Sequence, residues 1–202
     1  WQCGREDLKE NSMKVFDSYL KNGFTQAGFF KESVNFDRGY EDPVHSIRRQ
    51  SEGVYAMLHF LAYERENGRR HPEWEQKMKN MLDILLQLQH EDGSFPRKFH
   101  DDFTIVDNSG GSTPSATLPL IMGYKYFKDK RYLASAKRTA DYLEKVLISK
   151  ADYFSSTLDA NCEDKEASLY AATATYYLSL ITKGDEHRHY ADLTRKIGRA
   201  HV

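Results

Sequence analysis

The chain has 202 residues, of which 29 are Lys or Arg and 30 are Asp or Glu. This length fits a single domain. Hydrophobic residues make up 40% of the chain, with 13 Tyr and 11 Phe among its aromatic residues, which excludes a largely disordered protein. The balanced charge removes the usual argument for nucleic-acid binding, which requires a basic surface. No apolar run approaches the roughly 20 residues needed to cross a bilayer. Two cysteines, Cys3 and Cys162, exclude a disulfide scaffold and allow one bridge at most.

We expect the sequence to be a piece of a longer protein. It begins at Trp1, without an initiator Met, signal peptide or targeting motif. Residues 197–202, Ile-Gly-Arg-Ala-His-Val, resemble the in-frame translation of a sequencing adapter. We therefore predict one incomplete domain over residues 1–196, a non-native tail over residues 197–202, and a natural protein that is longer at both ends.

Two amphipathic helices are predicted from apolar residues spaced three and four positions apart. The first opens at Pro72, a residue favoured in a first helical turn. Each position in the apolar stripe of the second helix lies 58 residues after a position in the first stripe, except Leu147, whose counterpart is the polar Gln89. This spacing predicts an internal repeat, with Tyr190 at the start of a third copy. The two stripes consist of Trp74, Met78, Met81, Leu82, Leu85 and Leu88, and of Tyr132, Ala136, Thr139, Ala140, Leu143, Val146 and Leu147.

These striped helices alternate with helices that have apolar or small residues over most of their circumference. Such a helix is typically buried among neighbours. We therefore predict inner helices here, with the striped helices and one over residues 8–20 lying outside them. The fold class is predicted to be all-α, built from repeated helical hairpins. The residues that mark the three inner helices are Val54, Leu58, Leu61 and Ala62; Leu118, Ile121 and Tyr124; and Leu169, Ala172, Thr173, Tyr176 and Leu180.

The predicted connections from outer to inner helices are long, at about 23–46, 90–112 and 149–163. Loops beyond about 12 residues are often binding loops. In an array of hairpins all three emerge on one side, at the N-termini of the inner helices, which favour oxyanions and carboxylates. The loops combine aromatic rings with carboxylates, amides and guanidinium groups, a mixture that suits sugar rings. The sequence therefore predicts a binding site on this face.

Residues 87–96, with the sequence Gln-Leu-Gln-His-Glu-Asp-Gly-Ser-Phe-Pro, close one outer helix. Together with the alternating hairpins, this segment resembles the α/α-toroid proteins, and most of all the six-hairpin glycosidase and polysaccharide lyase superfamily. The resemblance covers nearly the whole chain to Lys196. It implies part of an (α/α)6 toroid with a central cleft at the inner-helix N-termini, where paired carboxylates cleave a glycosidic bond of an oligo- or polysaccharide. It also favours a bacterial periplasmic or secreted enzyme. A similar turn occurs in terpenoid-cyclase and prenyltransferase toroids, but the charged loops disfavour an isoprenoid cavity.

Glycoside hydrolysis uses one carboxylic acid to protonate the leaving oxygen and one carboxylate to activate water or attack. Asp107 precedes an inner helix in a Gly-rich segment, and Asp159 occupies the equivalent place one hairpin later. We predict these two as the catalytic pair, with Glu163 as a substitute for either. Asn108 and Asn161, beside them, are predicted to bind substrate. The alternative is a structural role, because Asp is common in turns and acidic residues are common in first helical turns.

Four further residues are predicted to bind substrate. His45 and Arg48 flank the start of the first inner helix, where a histidine could act as acid or base and an arginine could bind a uronate carboxylate. A polar helix entry is the alternative. Phe95 and Arg97 follow the Asp-Gly turn and could stack on a sugar and bind it, or could pack within the loop.

No metal or cofactor is predicted. The eight histidines show no His-Glu-x-x-His spacing, and the chain has no Cys-x-x-Cys, so zinc is not supported. Residues 110–113, Gly-Gly-Ser-Thr, lack the spacing of a phosphate loop.

Two alternatives to a hydrolase stay open at this point. A polysaccharide lyase would abstract a proton beside a uronate carboxylate and would rely on His45, Tyr40 and Arg48. A helical-repeat module would bind a glycan or a protein without catalysis. The sequence leaves the sugar, its linkage, the compartment and the oligomeric state open.

Overall fold

The computed structural model describes residues 4–35, 37, 40–41, 44–150 and 165–200. Seven α-helices and five short strands lie in these ranges, and none of these helices is both long and apolar enough to cross a membrane. The helices are α1 (Glu6–Asn22), α2 (Ile47–Glu66), α3 (Pro72–Leu88), α4 (Thr113–Phe127), α5 (Lys130–Val146), α6 (Lys165–Ile181) and α7 (Gly184–Ala200). The strands are β1 (Val34–Asn35), β2 (Tyr40–Glu41), β3 (Val44–Ser46), β4 (Lys98–His100) and β5 (Ile105–Asp107).

The helices form an inner and an outer layer. In the inner layer α4 packs between α2 and α6, and in the outer layer α5 packs on α4 and α7 packs on α6. Every residue of α4 from Thr113 to Gly123 is buried, as expected for a helix enclosed on all sides. The all-α prediction is therefore confirmed, and the core lies between the two layers.

The repeat of 58 residues corresponds to one hairpin of this array. Trp74, Tyr132 and Tyr190 occupy equivalent places near the starts of α3, α5 and α7, and their side chains are 3%, 0% and 4% exposed. All three rings belong to the main hydrophobic core cluster. Because the same position is buried three times, the repeat seen in the sequence is a structural repeat.

Helix ends follow local sequence signals. Pro72 is the first residue of α3, where its missing N–H costs no helical hydrogen bond. Asp129 caps α5, because its carboxylate accepts a hydrogen bond of 2.9 Å from the N–H of Arg131. Lys128 ends α4 in a left-handed conformation, with φ of 61°. The short corner between α4 and α5 is thus specified locally.

One face of α6 departs from the predicted burial. Leu169, Tyr176 and Leu180 are 62%, 49% and 60% exposed, although the sequence predicts a helix buried all round. That prediction is wrong for this face, because α4, α5 and α7 pack on the other sides of α6 and no described residue covers these three side chains.

A second, smaller core cluster joins α5, α6 and α7 through Leu143, Leu147, Ala167, Ala171 and Ile197. Helix α7 continues past Lys196, and the Ile197 side chain is 2% exposed. The non-native origin of residues 197–202 stays a prediction.

Candidate active site

The first two long loops meet over the N-termini of the inner helices. Strand β3, which leads directly into α2, pairs antiparallel with β4 of the second loop, and β4 pairs with β5. The segment before β4 ties two inner helices together, because the Phe95 N–H donates to the Thr113 hydroxyl of α4 at 3.0 Å and the Ile47 N–H of α2 donates to the Arg97 carbonyl at 3.1 Å. This sheet fixes both loops on the face where α2 and α4 begin.

A cluster of four polar side chains connects α2 with α6 at the same end of the array. The Arg48 Nε donates to Glu52 at 2.9 Å, and its Nη2 donates to Glu166 of α6. The Tyr170 hydroxyl, also on α6, donates to Glu52. We call Arg48, Glu52, Glu166 and Tyr170 the carboxylate cluster.

The carboxylate cluster bridges α2 and α6 across the side of α4 that faces away from α5, and we call this surface the groove. Helices α2 and α6 flank α4, whose outer side is covered by α5, so side chains that reach from α2 to α6 must cross the inner side of α4. Further along, the hydroxyls of Tyr55 and Tyr177 meet at 3.4 Å, and the His59 ring lies edge-on to Tyr55 at 4.6 Å. A row of polar and aromatic groups therefore extends along the groove from the helix starts.

Charge and exposure in the carboxylate cluster suit the recognition of a ligand. The side chains of Glu166, Glu52 and Arg48 are 58%, 40% and 23% exposed, so a molecule in the groove can reach them. Burial alone would lower the pKa of Arg48, but the two glutamates outweigh it and raise that pKa. Burial, together with the hydrogen bond to Glu52, raises the pKa of Tyr170 to about 12. At neutral pH Arg48 is charged and Tyr170 is a hydrogen-bond donor.

Asp107 lies at the end of β5 and holds a turn. Its Oδ1 accepts a hydrogen bond of 2.9 Å from the Ser109 N–H, and its Oδ2 lies 3.7 Å from Arg97 Nη1. Burial alone would raise the pKa of Asp107, but the hydrogen bonds from Ser109 and the charges of Arg97 and Lys98 outweigh it, so the pKa is lowered. A charged Asp107 fits the carboxylate half of the predicted pair, and the same contacts fit the structural alternative.

The residues around Asp107 differ in their access to solvent. Phe95 has no exposed area, which favours packing within the loop over stacking on a sugar. Arg97 is 8% exposed and lies between the starts of α2 and α4. The Asn108 side-chain oxygen lies 2.7 Å from His90 Nε2, at the surface. Of this group, Asp107 and Asn108 are on the accessible rim.

His45 is enclosed by aromatic rings. Its side chain is 1% exposed, its ring stacks on Phe29 with centroids 4.7 Å apart, and its Nε2 lies 2.6 Å from Asp101 Oδ1. Thr25 donates a second hydrogen bond to the same oxygen at 3.1 Å. His45 therefore links the first loop to Asp101 of the second loop, and its ring is too buried to contact a ligand in this arrangement.

Asp159, Asn161 and Glu163 lie outside the described residues, so their predicted roles stay predictions. Within the described residues, no group of three or more His, Cys, Asp or Glu side chains is placed to hold a metal ion. An apolar cavity of about 430 Å³ lies between α1 and α2, but none of the four cluster residues lines it. Its lining has few of the polar groups that orient a sugar.

Sequence reasoning missed Glu52, Glu166 and Tyr170. All three lie within helices, where charged and polar residues are normally solvated. A signal was present, because Arg48 and Glu52 are four residues apart on α2 and Glu166 and Tyr170 are four apart on α6, so each pair shares one helix face. What the sequence does not show is that these two faces meet.

No protein-family model matches the chain. Solved structures with similar folds include a D-mannose isomerase, with a TM-score of 0.74 and 15% identity over 98% of this chain and 56% of the other. A cellobiose 2-epimerase from Spirochaeta thermophila matches with a TM-score of 0.70 and 16% identity, over 93% of this chain and 51% of the other. An unsaturated glucuronyl hydrolase specific for heparin matches with a TM-score of 0.66 and 17% identity, over 88% and 51%.

All three are α/α-toroid enzymes. The chain has the α/α-toroid fold. It spans about half the length of these toroids. The resemblance inferred from the hairpins and from residues 87–96 is therefore confirmed at the level of fold.

Proposed function

We propose that this toroid is part of a carbohydrate-active enzyme that hydrolyses glycosidic bonds of oligo- or polysaccharides. The similar toroids are named for their action on sugars, as an isomerase, an epimerase and a glucuronyl hydrolase. Since these names cover different reactions, the choice of hydrolysis rests on the side chains of this chain.

The carboxylate cluster is the observation that supports hydrolysis. Glu52 and Glu166 come from two inner helices, are held by one guanidinium group, and are accessible from the groove. Hydrolysis of a glycosidic bond requires two carboxyl groups, one to protonate the leaving oxygen and one to activate water or attack the sugar. Because Tyr170 and Arg48 both donate to Glu52, its orientation is fixed, whereas Glu166 is the more exposed of the pair.

Asp107 is a further carboxylate for this chemistry, at the rim of the same face. Its lowered pKa suits a base and does not suit an acid at neutral pH. The pairing of Asp107 with Asp159, and the role of Glu163 as a substitute, remain part of the proposal. We rank Glu52 and Glu166 ahead of them because both are placed in the groove.

A lyase is less well supported by the same geometry. A lyase would rely on His45, Tyr40 and Arg48, and the ring of His45 is buried and already paired with Asp101. The uronate-binding group would be Arg48, whose guanidinium already donates hydrogen bonds to Glu52 and Glu166. A lyase would therefore require both residues to exchange their partners.

The reaction class can be tested by incubating the protein with a panel of oligosaccharides and analysing the products. We expect new reducing ends without the ultraviolet absorbance of a newly formed carbon–carbon double bond. Absorbance of that kind would identify a lyase, and conversion to a sugar of unchanged mass would identify an isomerase or epimerase. Binding without any conversion would show that this face is a recognition surface, and each of these three results would contradict hydrolysis.

A further inference from the structure

Arg97 is a buried cation whose hydrogen-bonding capacity is not satisfied. Its side chain is 10% exposed, and neither Nε nor Nη2 has a hydrogen-bond partner among the described residues. Its ion pair within the described residues is with Asp107, at 3.7 Å, which is beyond hydrogen-bonding distance. A buried guanidinium in this state is costly, because its lost hydration is not replaced. A negatively charged group within hydrogen-bonding distance would satisfy these two nitrogens.

The surroundings of Arg97 also favour an anion. The backbone of residues 95–97 is bonded to the first residue of α4 on one side and to the first residue of α2 on the other. The N-terminal ends of two helices, 20 and 15 residues long, thus lie on either side of this segment. Each end carries partial positive charge. No acidic residue lies in the first turn of either helix. The start of α2 has one carboxylate beside it, because the buried Glu32 accepts a hydrogen bond of 2.6 Å from the Ser46 N–H.

The capping residues of these two helices add a second, independent observation. Ser46 precedes α2 and Ser112 precedes α4, and their side chains are 3% and 1% exposed. A serine at this position usually accepts a hydrogen bond from its own helix. Neither hydroxyl does so, and neither has another partner among the described residues. Two hydroxyls and two guanidinium nitrogens of Arg97 therefore lack a hydrogen-bond partner among the described residues at adjoining helix starts.

We propose that Arg97, with the starts of α2 and α4, binds an oxyanion carried by the substrate. This inference rests on the proposed function and narrows it to saccharides that bear a carboxylate, sulfate or phosphate group. The planar guanidinium forms paired hydrogen bonds with all three. The way in is beside Asp107, whose side chain is 34% exposed. An anion that enters there would form the hydrogen bonds with Arg97 that Asp107, at 3.7 Å, does not form.

The test is to titrate the protein with sulfate, glucuronate and glucose in a low-salt buffer, and to record binding by calorimetry and Tm by thermal unfolding. We expect sulfate and glucuronate to bind and to raise Tm, and glucose to do neither through this site. Preference for glucuronate over sulfate would identify a uronate as the source of the oxyanion, and the reverse preference would identify a sulfate ester. Absence of binding by both would overturn the proposal.

Arg97→Met gives the sharpest result, because it removes the charge and keeps an apolar side chain. In the absence of anions this variant should keep a Tm at or above that of the wild type, because the cost of burying two unsatisfied guanidinium nitrogens outweighs the long ion pair with Asp107. It should also weaken sulfate binding at least tenfold. A lower Tm in anion-free buffer, or unchanged sulfate binding, would contradict the proposal. Arg195→Met, at an exposed position on α7, is the matched control and should change neither quantity.

The double variant Ser46→Ala and Ser112→Ala tests the helix starts without touching the charge. Neither hydroxyl has a partner within the described part of the chain, so Tm in anion-free buffer should stay close to that of the wild type, while sulfate binding weakens. Unchanged sulfate binding would show that the two helix starts do not contribute to the anion site.

Failure of the anion site and failure of the proposed hydrolysis are distinguishable. Anion binding through Arg97 without hydrolysis refutes only the reaction, and hydrolysis of neutral sugars without anion binding refutes only the site.

Discussion

Replacing Glu166 by glutamine is expected to lower kcat on a saccharide substrate by about 10²–10⁴-fold, the range typical for loss of a positioned acid or base. Glutamine has the same shape and can still accept a hydrogen bond from Arg48, so the groove should stay intact. It cannot donate or accept the proton that glycosidic cleavage requires. Glu52→Gln is expected to have an effect of similar size, because hydrolysis uses two carboxyl groups. Initial rates at saturating substrate measure both losses.

The control for these variants is Glu186→Gln. Glu186 lies in the first turn of α7 and forms an exposed ion pair with Lys137, outside the carboxylate cluster. The same chemical change there should leave kcat within about twofold, because exposed ion pairs contribute little. If Glu52→Gln and Glu166→Gln also keep their activity, these residues are not the catalytic pair. Asp107→Asn then becomes the decisive variant, as the sequence first indicated.

Gly93→Ala is expected to destabilise the fold by about 2–4 kcal/mol. Gly93 has φ of +93°, and a Cβ atom built there would lie 2.2 Å from the Arg138 carbonyl oxygen of α5. Both the backbone conformation and the close approach require glycine. For a domain of this size the loss corresponds to a fall in Tm of about 5–15 °C, measured by thermal unfolding.

The turn around Gly93 is held from several sides, so it cannot relax easily. Gln89 donates to the Gly93 carbonyl at 3.2 Å and to the Ser135 carbonyl of α5 at 3.0 Å, and Asp92 accepts from the Ser94 N–H at 2.9 Å. Gly68→Ala is the matched control, because φ there is +77° but the space around a Cβ is open. We expect Gly68→Ala to cost about 1 kcal/mol. Equal losses in the two variants would show that contact with α5 contributes nothing.

Much of the fold could be predicted from the sequence, because its signals are local. The apolar stripes follow the helical period, and Trp74, Tyr132 and Tyr190 repeat it at a fixed distance. The Asp92-Gly93 turn and the proline at the start of α3 mark helix boundaries through backbone chemistry. From these elements alone the face that carries the long loops follows.

The site was harder to predict, because it depends on contacts between distant segments. Strands β3 and β4 are three residues each, and His45 opposes Phe99 of another loop, so neither strand has a periodic pattern of its own. In the sequence, nothing distinguishes Glu52 and Glu166 from other glutamates on helices. They come together only because α2 and α6 pack on either side of α4. From the sequence, Phe95 could equally stack on a sugar or pack within the loop. Only the burial of its ring in the structure distinguishes these two roles.

The most direct test of the account is a crystal structure of the Glu166→Gln variant with a bound oligosaccharide that the wild type cleaves. We predict sugar atoms within hydrogen-bonding distance of Glu52 and Arg48, in the groove where α2 and α6 begin. A sugar held elsewhere, for example in the apolar cavity between α1 and α2, would contradict the assignment of the carboxylate cluster as the catalytic site.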